Sequence, residues 1–299
     1  MYDVIIVGAG PAGITASIYC ARANLKTIVF EKENIGGQIS SSPLVRNFPG
    51  FKSISGVELA NNFYEQAIDL GVEIEIEEVL DIKPGKVNKV ITDSGEYESK
   101  AVIVATGAKY RLLGLPNEEE LIGKGISFCT SCDGAFYKGK DVAVIGGANS
   151  AVTNAIYMSN LANKVYLIYR KDKLKCEKIL IDNVESKDNV EIIYNANVTE
   201  IIGEDELEKI VLDVNGEKRE IPLGGMFISI GMDAQTDLVK ELLPLSEQNY
   251  ILSEDCSTIQ NGIFVAGDCR HKTVRQLTTA VSDGAVAANF AIKYLENNQ

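Results

Sequence analysis

The sequence is poor in positive charge and contains no long apolar run. Its 299 residues include 29 Lys and Arg against 42 Asp and Glu, and the formal net charge is −13. This acidic balance argues against a nucleic-acid partner or an anionic membrane surface. The longest apolar stretches have the length of strands, so no membrane span is predicted. A chain of 299 residues is too long for one small core and predicts two domains.

The N-terminus lacks the basic segment and the apolar core of a signal peptide. Its first apolar run, residues 4–7, ends at Gly8. We therefore expect a cytoplasmic protein. Cysteines are normally reduced in that compartment, where a closely spaced pair is more often catalytic than structural.

Histidine is nearly absent, which bears on the C-x-x-C pair Cys129 and Cys132. This spacing is also half of a zinc site, but the other four cysteines stand alone and His271 is the only histidine. We therefore predict no metal site. A pair of inert cysteines is the other alternative. Paired thiols of this kind exchange readily with disulfides, and the adjacent Asp133 can transfer protons to and from a thiolate.

A nucleotide-binding pattern precedes this pair. An apolar strand leads into Gly8-Ala9-Gly10-Pro11-Ala12-Gly13, the first fingerprint turn, and a helix over 14–23 follows. The first glycine makes the turn, the second admits a pyrophosphate, and the third lets the helix pack on the strand. The next strand, 27–30, ends in Glu31, 23 residues after the first glycine. An acid at that point can accept hydrogen bonds from ribose hydroxyls.

The same pattern recurs after the cysteine pair. A strand over 141–145 leads into Gly146-Gly147-Ala148-Asn149-Ser150-Ala151, the second fingerprint turn, followed by a helix and a strand over 164–169. Here Arg170, Lys171 and Lys175 follow the strand. A basic cluster attracts a 2′-phosphate, which favours NADPH over NADH, although solvated surface charges are the alternative. Ala148 replaces the middle glycine and crowds the pyrophosphate.

Two further segments are candidates for ligand contact. Loops containing Gly36-Gly37-Gln38 and Asn47 either line a ligand or simply connect elements. Asp268 follows a strand and can hold a ribityl or ribose hydroxyl, or it serves packing only. The breaks at Gly114-Leu115-Pro116 and Leu243-Pro244 predict domain boundaries.

Together these features resemble the low-molecular-weight thioredoxin reductases of the pyridine-nucleotide disulfide oxidoreductase family. The resemblance covers essentially the whole chain, and its most specific part is Cys129-Thr130-Ser131-Cys132-Asp133-Gly134 between the two nucleotide units. It implies an α/β protein with two Rossmann-like, three-layer ββα nucleotide-binding domains. An FAD domain of residues 1–113 and 246–299 would contain an inserted NAD(P)H domain, 114–245, that carries the cysteine pair. It also implies a homodimer.

The resemblance assigns roles to individual residues. Cys129, Cys132 and Asp133 would be catalytic, and electrons would pass from NADPH through FAD and the dithiol to thioredoxin or a thioredoxin-like protein. The residues expected at FAD are Gly8, Gly10, Pro11, Ala12, Gly13, Glu31, Lys32, Gly36, Gly37, Gln38, Asn47, Thr106, Gly107, Gly267, Asp268, Arg275, Gln276 and Leu277. Those expected at NADPH are Gly146, Gly147, Ala148, Asn149, Ser150, Ala151, Arg170, Lys171 and Lys175.

The second unit departs from the family pattern. The family's His-Arg-Arg with a third Arg four residues later is here Tyr169, Arg170, Lys171 and Lys175. Lysine keeps the charge but loses the planar fork that grips phosphate. A ferredoxin- or NADH-dependent flavin thioredoxin reductase is therefore the alternative. More remote alternatives are a small-molecule dithiol oxidase and a non-catalytic flavin redox sensor.

Overall fold

The computed structural model describes residues 1–298, which form two compact units. One unit comprises Met1–Lys109 and the segment from Asp233 onward, and the other comprises Tyr110–Met232. Val239 and Leu243 are buried in the core of the first unit. The bounds 1–113, 114–245 and 246–299 remain predictions about cofactor-binding domains.

The chain alternates strands and helices at the start of each unit. The elements before the chain enters the second unit are β1 (Tyr2–Val7), α1 (Pro11–Arg22), β2 (Thr27–Glu31), α2 (Gly56–Asp69), β3 (Glu73–Ile76), β4 (Val79–Lys83), β5 (Asn88–Thr92), β6 (Glu96–Val104) and β7 (Ala108–Tyr110). The second unit contains β8 (Ile126–Ser127), α3 (Thr130–Asp133), β9 (Asp141–Ile145), α4 (Asn149–Ser159), β10 (Lys164–Ile168), α5 (Lys178–Glu185), β11 (Val190–Ile193), β12 (Ala196–Ile202), β13 (Lys209–Val214), β14 (Glu217–Pro222) and β15 (Gly225–Ile228). The chain then adds β16 (Met232–Ala234), β17 (Ile263–Val265) and α6 (Leu277–Asn297).

The first unit is built on a seven-stranded sheet in the order β3-β2-β1-β6-β5-β4, with β17 beside β6. β1 runs parallel to β2 and β6, whereas β4 and β5 form an antiparallel extension of β6. Alternate side chains of β1 face opposite sides: Val4 and Ile6 pack with helix residues, and Ile5 packs with Ile82 and Val90 of the extension. The result is three layers, one helical and two of strands.

The second unit repeats this layering. Its parallel sheet has the order β11-β10-β9-β15-β8, and β12, β13 and β14 form a separate antiparallel sheet. Along β9, Val142 and Val144 pack with buried residues of α4, whereas Ala143 and Ile145 pack with Ile210 of β13 and its neighbours. The predicted fold class, two three-layer Rossmann-like units, is confirmed.

Helix α6 crosses α1 at very short range. A Cβ atom at Gly284 would lie 2.2 Å from the carbonyl oxygen of Ala12, so only glycine permits this approach. Around it, Ala280, Ala287 and Ala288 are buried. Small residues therefore bring the C-terminal helix onto the first fingerprint helix.

The apolar pattern over 72–82 is typical of strands, and the structure forms two strands there: β3 ends at Ile76 and β4 begins at Val79. The cysteine pair starts a single helical turn, α3, that the pattern does not indicate. Among helices of the described residues 1–298, none combines the length and apolarity needed to cross a membrane.

Candidate redox and nucleotide sites

The first fingerprint turn depends on glycine at its two ends. Gly8 has φ +107°, and a Cβ atom there would lie 2.4 Å from the carbonyl oxygen of Ala105. A Cβ atom at Gly13 would lie 1.8 Å from the carbonyl oxygen of Gly8. Both glycines are therefore required by the approach of backbone to backbone, as the sequence pattern predicts.

Gly10 is different, because the protein itself leaves its side-chain position open. A Cβ atom there would meet no atom within 4 Å, and its φ is −73°. Pro11 begins α1, and no acidic residue lies in the first turn of that helix. The open space thus faces a helix N-terminus that favours anions. A dinucleotide pyrophosphate fits this position.

Glu31 is held in place by two backbone groups. Its Oε2 accepts a hydrogen bond from the Ala9 N–H at 2.8 Å, and its Oε1 accepts one from the Glu33 N–H at 2.9 Å. A carboxylate oxygen has a second lone pair, so each oxygen can also accept from a hydroxyl. The structure therefore fixes Glu31 beside the first fingerprint turn. Lys32 pairs with Glu78 at 3.9 Å instead.

The loop with Gly36 and Gly37 lies against the same turn. The Gly36 N–H donates to the Ala9 carbonyl at 2.8 Å, and a Cβ atom at Gly37 would lie 3.3 Å from Gly10 Cα. The Gln38 amide donates to the carbonyl of Ala108. These contacts bring the loop to the space in front of Gly10.

Other predicted FAD residues meet at the start of α6. The Asn47 amide donates to Gln276 Oε1 at 3.2 Å, and Gln276 caps α6 through Thr279. The guanidinium of Arg275 lies 3.8 Å from the ring centroid of Tyr250. The remaining predicted contacts are set by local packing: Leu277 packs on the small core around Leu59, Thr106 donates to the carbonyl of Gln235, and Gly107 has φ +71° with open space at its Cβ position.

The Gly267-Asp268 turn rests on a buried charge network. Asp283 of α6 accepts hydrogen bonds from the Gly267 N–H at 3.1 Å and from Arg270 at 2.9 and 2.8 Å. Lys272 Nζ lies 3.0 Å from Asp283 Oδ2 and 2.9 Å from Asp268 Oδ1. The last pair is close enough for ion pairing but is not aligned as a hydrogen bond, so within residues 1–298 this buried oxygen has no hydrogen-bond donor. Asp268 is thus held after β17 by its ion pair with Lys272.

Sequence reasoning missed Asp283, Arg270 and Lys272. One signal was available: Asp283 is an acid on the helix face that otherwise carries buried Ala280, Gly284 and alanines further along. Burial raises the pKa of Asp283, but the hydrogen bonds and charges of Arg270 and Lys272 outweigh it, so the pKa lies below its usual value. The carboxyl is therefore ionised at neutral pH.

In the second unit, Cys129 and Cys132 form a disulfide with their Cα atoms 5.2 Å apart. Cys129 precedes α3 as its N-cap, and its Sγ accepts the Cys132 N–H at 3.2 Å. Both cysteines are partly exposed, and Ser131 between them is exposed. The pair is thus an accessible disulfide on one helical turn.

Asp133 lies at the end of that turn and accepts a hydrogen bond from a buried serine. Ser127 donates to Asp133 Oδ2 at 2.6 Å and accepts the Cys129 N–H at 3.1 Å. Burial raises the pKa of Asp133 above its usual value, and the Ser127 hydrogen bond opposes that rise. Such a carboxyl is suited to take up and release a proton near the disulfide.

A second polar chain fixes the disulfide turn to the rest of the unit. Thr130 donates to Asn154 Oδ1 of α4 at 2.7 Å, and the Asn154 amide donates to Ser229 after β15 at 2.9 Å. A Cβ atom at Gly134 would lie 2.9 Å from Met158 Sδ. Helix α4 therefore packs directly against the motif.

The second fingerprint turn shares the glycine geometry of the first at its start. Gly146 has φ +143°, and a Cβ atom there would lie 2.4 Å from the Ser229 carbonyl oxygen and 2.8 Å from Ala151 Cβ. A Cβ atom at Gly147 would overlap the ring of Tyr169, at 2.4 Å. The structure thus places Tyr169 over this turn.

The segment after Tyr169 runs along the second fingerprint turn. The Lys175 N–H donates to the Gly147 carbonyl at 2.7 Å, and Ala148 is the N-cap of α4. Asn149 and Glu177 exchange hydrogen bonds at 3.2 and 3.1 Å. Ser150 follows Asn149 in α4 and is exposed.

The basic cluster Arg170, Lys171 and Lys175 is exposed, as is Lys173. None of the ion pairs found within residues 1–298 involves these four side chains. Their charge is therefore available to an anion from solution.

The other cysteines have no redox geometry. Cys20, Cys256 and Cys269 are buried, and burial raises the pKa of Cys20 and of Cys256 to about 12. Burial and the charge of Glu177 also raise the pKa of Cys176. In the described part of the chain, no group of three or more His, Cys, Asp or Glu side chains could hold a metal ion.

The chain is similar to known proteins over nearly its whole length. A protein from the rubredoxin operon of Clostridium pasteurianum, described as a 34.2 kDa protein, is 45% identical over 98% of this chain and 97% of its own length. Thioredoxin reductase of Bacillus subtilis is 42% identical over 100% of this chain and 96% of its own. The crystal structure of thioredoxin reductase from Streptococcus pyogenes superposes with a TM-score of 0.96 at 41% identity, covering 99% of both chains. The model of the pyridine nucleotide-disulphide oxidoreductase family matches residues 2–284, and the chain therefore belongs to that family.

Proposed function

We propose that this protein is an FAD-dependent reductase of the disulfide of thioredoxin or a thioredoxin-like protein, using NADPH as electron donor. The observation that carries the proposal is the partly exposed Cys129–Cys132 disulfide with the Asp133 carboxyl attached to the same turn. Relatives named thioredoxin reductase match the chain along its whole length. The resemblance also supports a cytoplasmic homodimer.

FAD binding is supported by the first fingerprint turn and the segments that meet it. The open position at Gly10 would receive the pyrophosphate, and Glu31 would accept from a ribose. Asp268 follows β17, where an acid can hold a ribityl or ribose hydroxyl. Bound there, FAD supplies a two-electron carrier between the donor and the disulfide.

NADPH binding is supported by the unpaired basic cluster Arg170, Lys171 and Lys175 beside the second fingerprint turn. Exposed cations at the end of the second strand of a Rossmann-like unit suit a 2′-phosphate. Helix α4 begins at Asn149, and its N-terminus would face the pyrophosphate.

The dithiol carries out the exchange with the protein substrate. Once reduced, one thiolate attacks the partner disulfide and forms a mixed disulfide, and the partner's other sulfur leaves. The second protein thiolate then attacks the mixed disulfide, restores the Cys129–Cys132 bond and releases the reduced partner. Asp133 holds or returns the proton that the exchanging sulfurs require.

The experiment is stopped-flow mixing of the oxidised, FAD-loaded protein with NADPH, NADH or reduced ferredoxin, with flavin absorbance as readout. We expect rapid bleaching with NADPH and, on addition of oxidised thioredoxin, recovery of colour with release of thioredoxin thiols. Bleaching without thiol release would contradict the reductase assignment and favour a flavin redox sensor. Rapid transfer of electrons from the flavin to oxygen, in the absence of a protein disulfide, would favour a dithiol oxidase.

A second candidate is a reductase that takes electrons from ferredoxin. It is favoured by Ala148 at the middle glycine position of the second fingerprint turn. Lys171 and Lys175, which replace arginines of the family pattern, also favour it. Bleaching by reduced ferredoxin and by neither nicotinamide would establish this candidate. Equal bleaching by NADH and NADPH would show that the basic cluster does not select the donor.

A further inference from the structure

Ser127 joins the two ends of the redox motif through one hydroxyl group. It is the last residue of β8 and is only 4% exposed. Its Oγ accepts the Cys129 N–H at 3.1 Å and donates to Asp133 Oδ2 at 2.6 Å. Because Ser127 pairs with Phe227 of β15, the five-stranded sheet fixes the backbone from which this hydroxyl extends.

We propose that Ser127 is a positioning residue of the redox centre, whose hydroxyl ties the Asp133 carboxyl to the Cys129 backbone and biases that carboxyl toward its ionised form. The geometry of the two hydrogen bonds carries this inference. Its catalytic consequence rests on the proposed disulfide reductase function, whereas its effect on Asp133 does not.

The bias follows from the single proton of the hydroxyl. When Asp133 is ionised, Ser127 donates that proton to Oδ2 and accepts the Cys129 N–H, so both groups are satisfied. If Oδ2 becomes protonated, it must donate to Ser127, whose own proton then needs another acceptor. Burial acts in the opposite direction and raises the pKa of Asp133. The two influences oppose each other, so the acid can both release and recover a proton.

This balance matters when the disulfide opens. Reduction by an added dithiol breaks the Cys129–Cys132 bond, forms one S–S bond in the reagent, and leaves two sulfurs on the protein that take up protons. Asp133 can supply one of these protons and recover it from water. An acid that stayed protonated would serve this step but would not accept a proton when the dithiol is reoxidised.

Other titratable side chains lie around the motif. Tyr137 follows Asp133 in the chain, and burial together with the charge of Asp133 raises its pKa to about 12. Lys140 lies 5.8 Å from the centre of the Tyr137 ring. On the α4 side, the ring of Tyr157 packs near Gly134. The phenol of Tyr137 therefore stays protonated over the range in which Asp133 responds.

The test is a double-mutant cycle of S127A and D133N with two readouts. The first is the pH titration of the Asp133 carboxyl by NMR in the oxidised protein. The second is the pH profile of disulfide reduction by dithiothreitol. We expect S127A to shift the titration of the Asp133 carboxyl to higher pH. The limb of the rate profile that is absent in D133N should shift in the same direction. We expect the maximal rate to fall roughly tenfold to a hundredfold, because the Asp133 carboxyl is no longer held in place by the Ser127 hydroxyl.

The double variant separates positioning from simple structural support. If Ser127 acts through Asp133, S127A has no further effect on the rate in the D133N background. S99A is the matched control, because Ser99 is also buried in a strand but its Oγ has no hydrogen-bond partner within residues 1–298. It should leave the Asp133 titration and the rate profile unchanged. Thermal melting of each variant verifies that it is folded.

If S127A does not change the pH at which Asp133 titrates, the inference is wrong. Additive effects of S127A and D133N on the rate would also overturn it. S127T, which keeps the hydroxyl, should restore the wild-type titration. The titration requires neither FAD nor a thioredoxin-like substrate. If the wild type reduces no protein disulfide, the proposed function fails while the role of Ser127 is still tested.

Discussion

The guanidinium of Arg270 and the carboxylate of Asp283 form two parallel hydrogen bonds, at 2.9 and 2.8 Å, beneath the Gly267-Asp268 turn. Thirteen residues separate them in the sequence, and one lies on the loop before α6 while the other lies within that helix. Bidentate pairs of this kind combine strength with a fixed orientation. The relationship therefore links the strand-end acid Asp268 to the helix that packs on α1.

Asp283→Asn should destabilise the first unit by about 3 kcal/mol, since it leaves Arg270 and Lys272 buried with one counter-charge fewer. Chemical unfolding of the apoprotein measures this loss. Because the folded-state pKa of Asp283 is lowered, its stabilisation is present above the unfolded-state pKa and is lost as pH falls through the folded value. The variant should therefore lose less stability on acidification than the wild type.

The control for this prediction is Asp237→Asn. Asp237 pairs with Lys240 at 3.4 Å, but its side chain is 98% exposed, and pairs of this type contribute about 0–1 kcal/mol. Equal destabilisation by the two substitutions would show that the buried network contributes no more to stability than an exposed ion pair.

Gly10→Val should abolish or weaken FAD binding without unfolding the apoprotein. No atom of the protein lies within 4 Å of a Cβ at this position, so the new side chain fills only the space proposed for the pyrophosphate. We expect FAD affinity to fall at least about tenfold, from a clash of roughly 1–3 kcal/mol. Fluorescence titration of the apoprotein with FAD measures it.

Gly95→Val is the control, since it too has an uncrowded Cβ position but lies in the turn between β5 and β6. It should bind FAD as the wild type does. Normal FAD binding by Gly10→Val would mean that the flavin lies elsewhere.

Replacing Lys171 and Lys175 together by Gln should raise KM for NADPH and leave that for NADH nearly unchanged. Both side chains are exposed cations beside the second fingerprint turn, and a 2′-phosphate is the only group that distinguishes the two nucleotides. Steady-state kinetics with each nucleotide measures the effect, which we expect to be about tenfold or more. Lys178→Gln, an exposed lysine at the start of α5, should leave both constants in place. A parallel rise in both KM values would contradict a role in phosphate recognition.

Asp133→Asn should retain FAD and the Cys129–Cys132 disulfide but lower turnover by roughly 10²–10⁴-fold, the range for loss of a positioned acid. The raised pKa of Asp133, caused by burial against the opposing Ser127 hydrogen bond, predicts that one limb of the pH–rate profile belongs to it. That limb should be absent from the variant. Asp205→Asn, in an exposed loop of the second unit, should keep the wild-type rate and profile. Unchanged turnover in Asp133→Asn would assign the proton to another group.

Cys129→Ser should trap a mixed disulfide with thioredoxin through Cys132. The family resemblance makes Cys132 the thiol that receives electrons and attacks the partner, leaving Cys129 to resolve the mixed disulfide. Mass spectrometry of the trapped complex identifies the linked cysteine. If Cys132→Ser traps the partner through Cys129 and Cys129→Ser does not, the two thiols have the opposite roles.

The parts of the sites that are local in the chain can be predicted from the sequence. Gly13 approaches the backbone of Gly8 within one strand–turn–helix unit, so the glycine spacing is enough to predict that turn. Gly8 itself approaches the backbone of Ala105, which is distant in the sequence. Cys129 and Cys132 are three residues apart and reach each other across one helical turn. The two repeated β-α-β units predict two nucleotide-binding units, and the family resemblance implies their three-layer fold.

Which distant residues meet depends on how the helices and strands pack. Asn47 and Gln276 are 229 residues apart, and their hydrogen bond depends on where α6 begins relative to the first fingerprint turn. Asn154 reaches Ser229 only because α4 packs beside the end of β15. Asp283 is one acid among many in the sequence, and its importance comes from being buried next to Arg270 and Lys272. Burial and long-range hydrogen bonds arise from packing between elements, which local spacing does not encode.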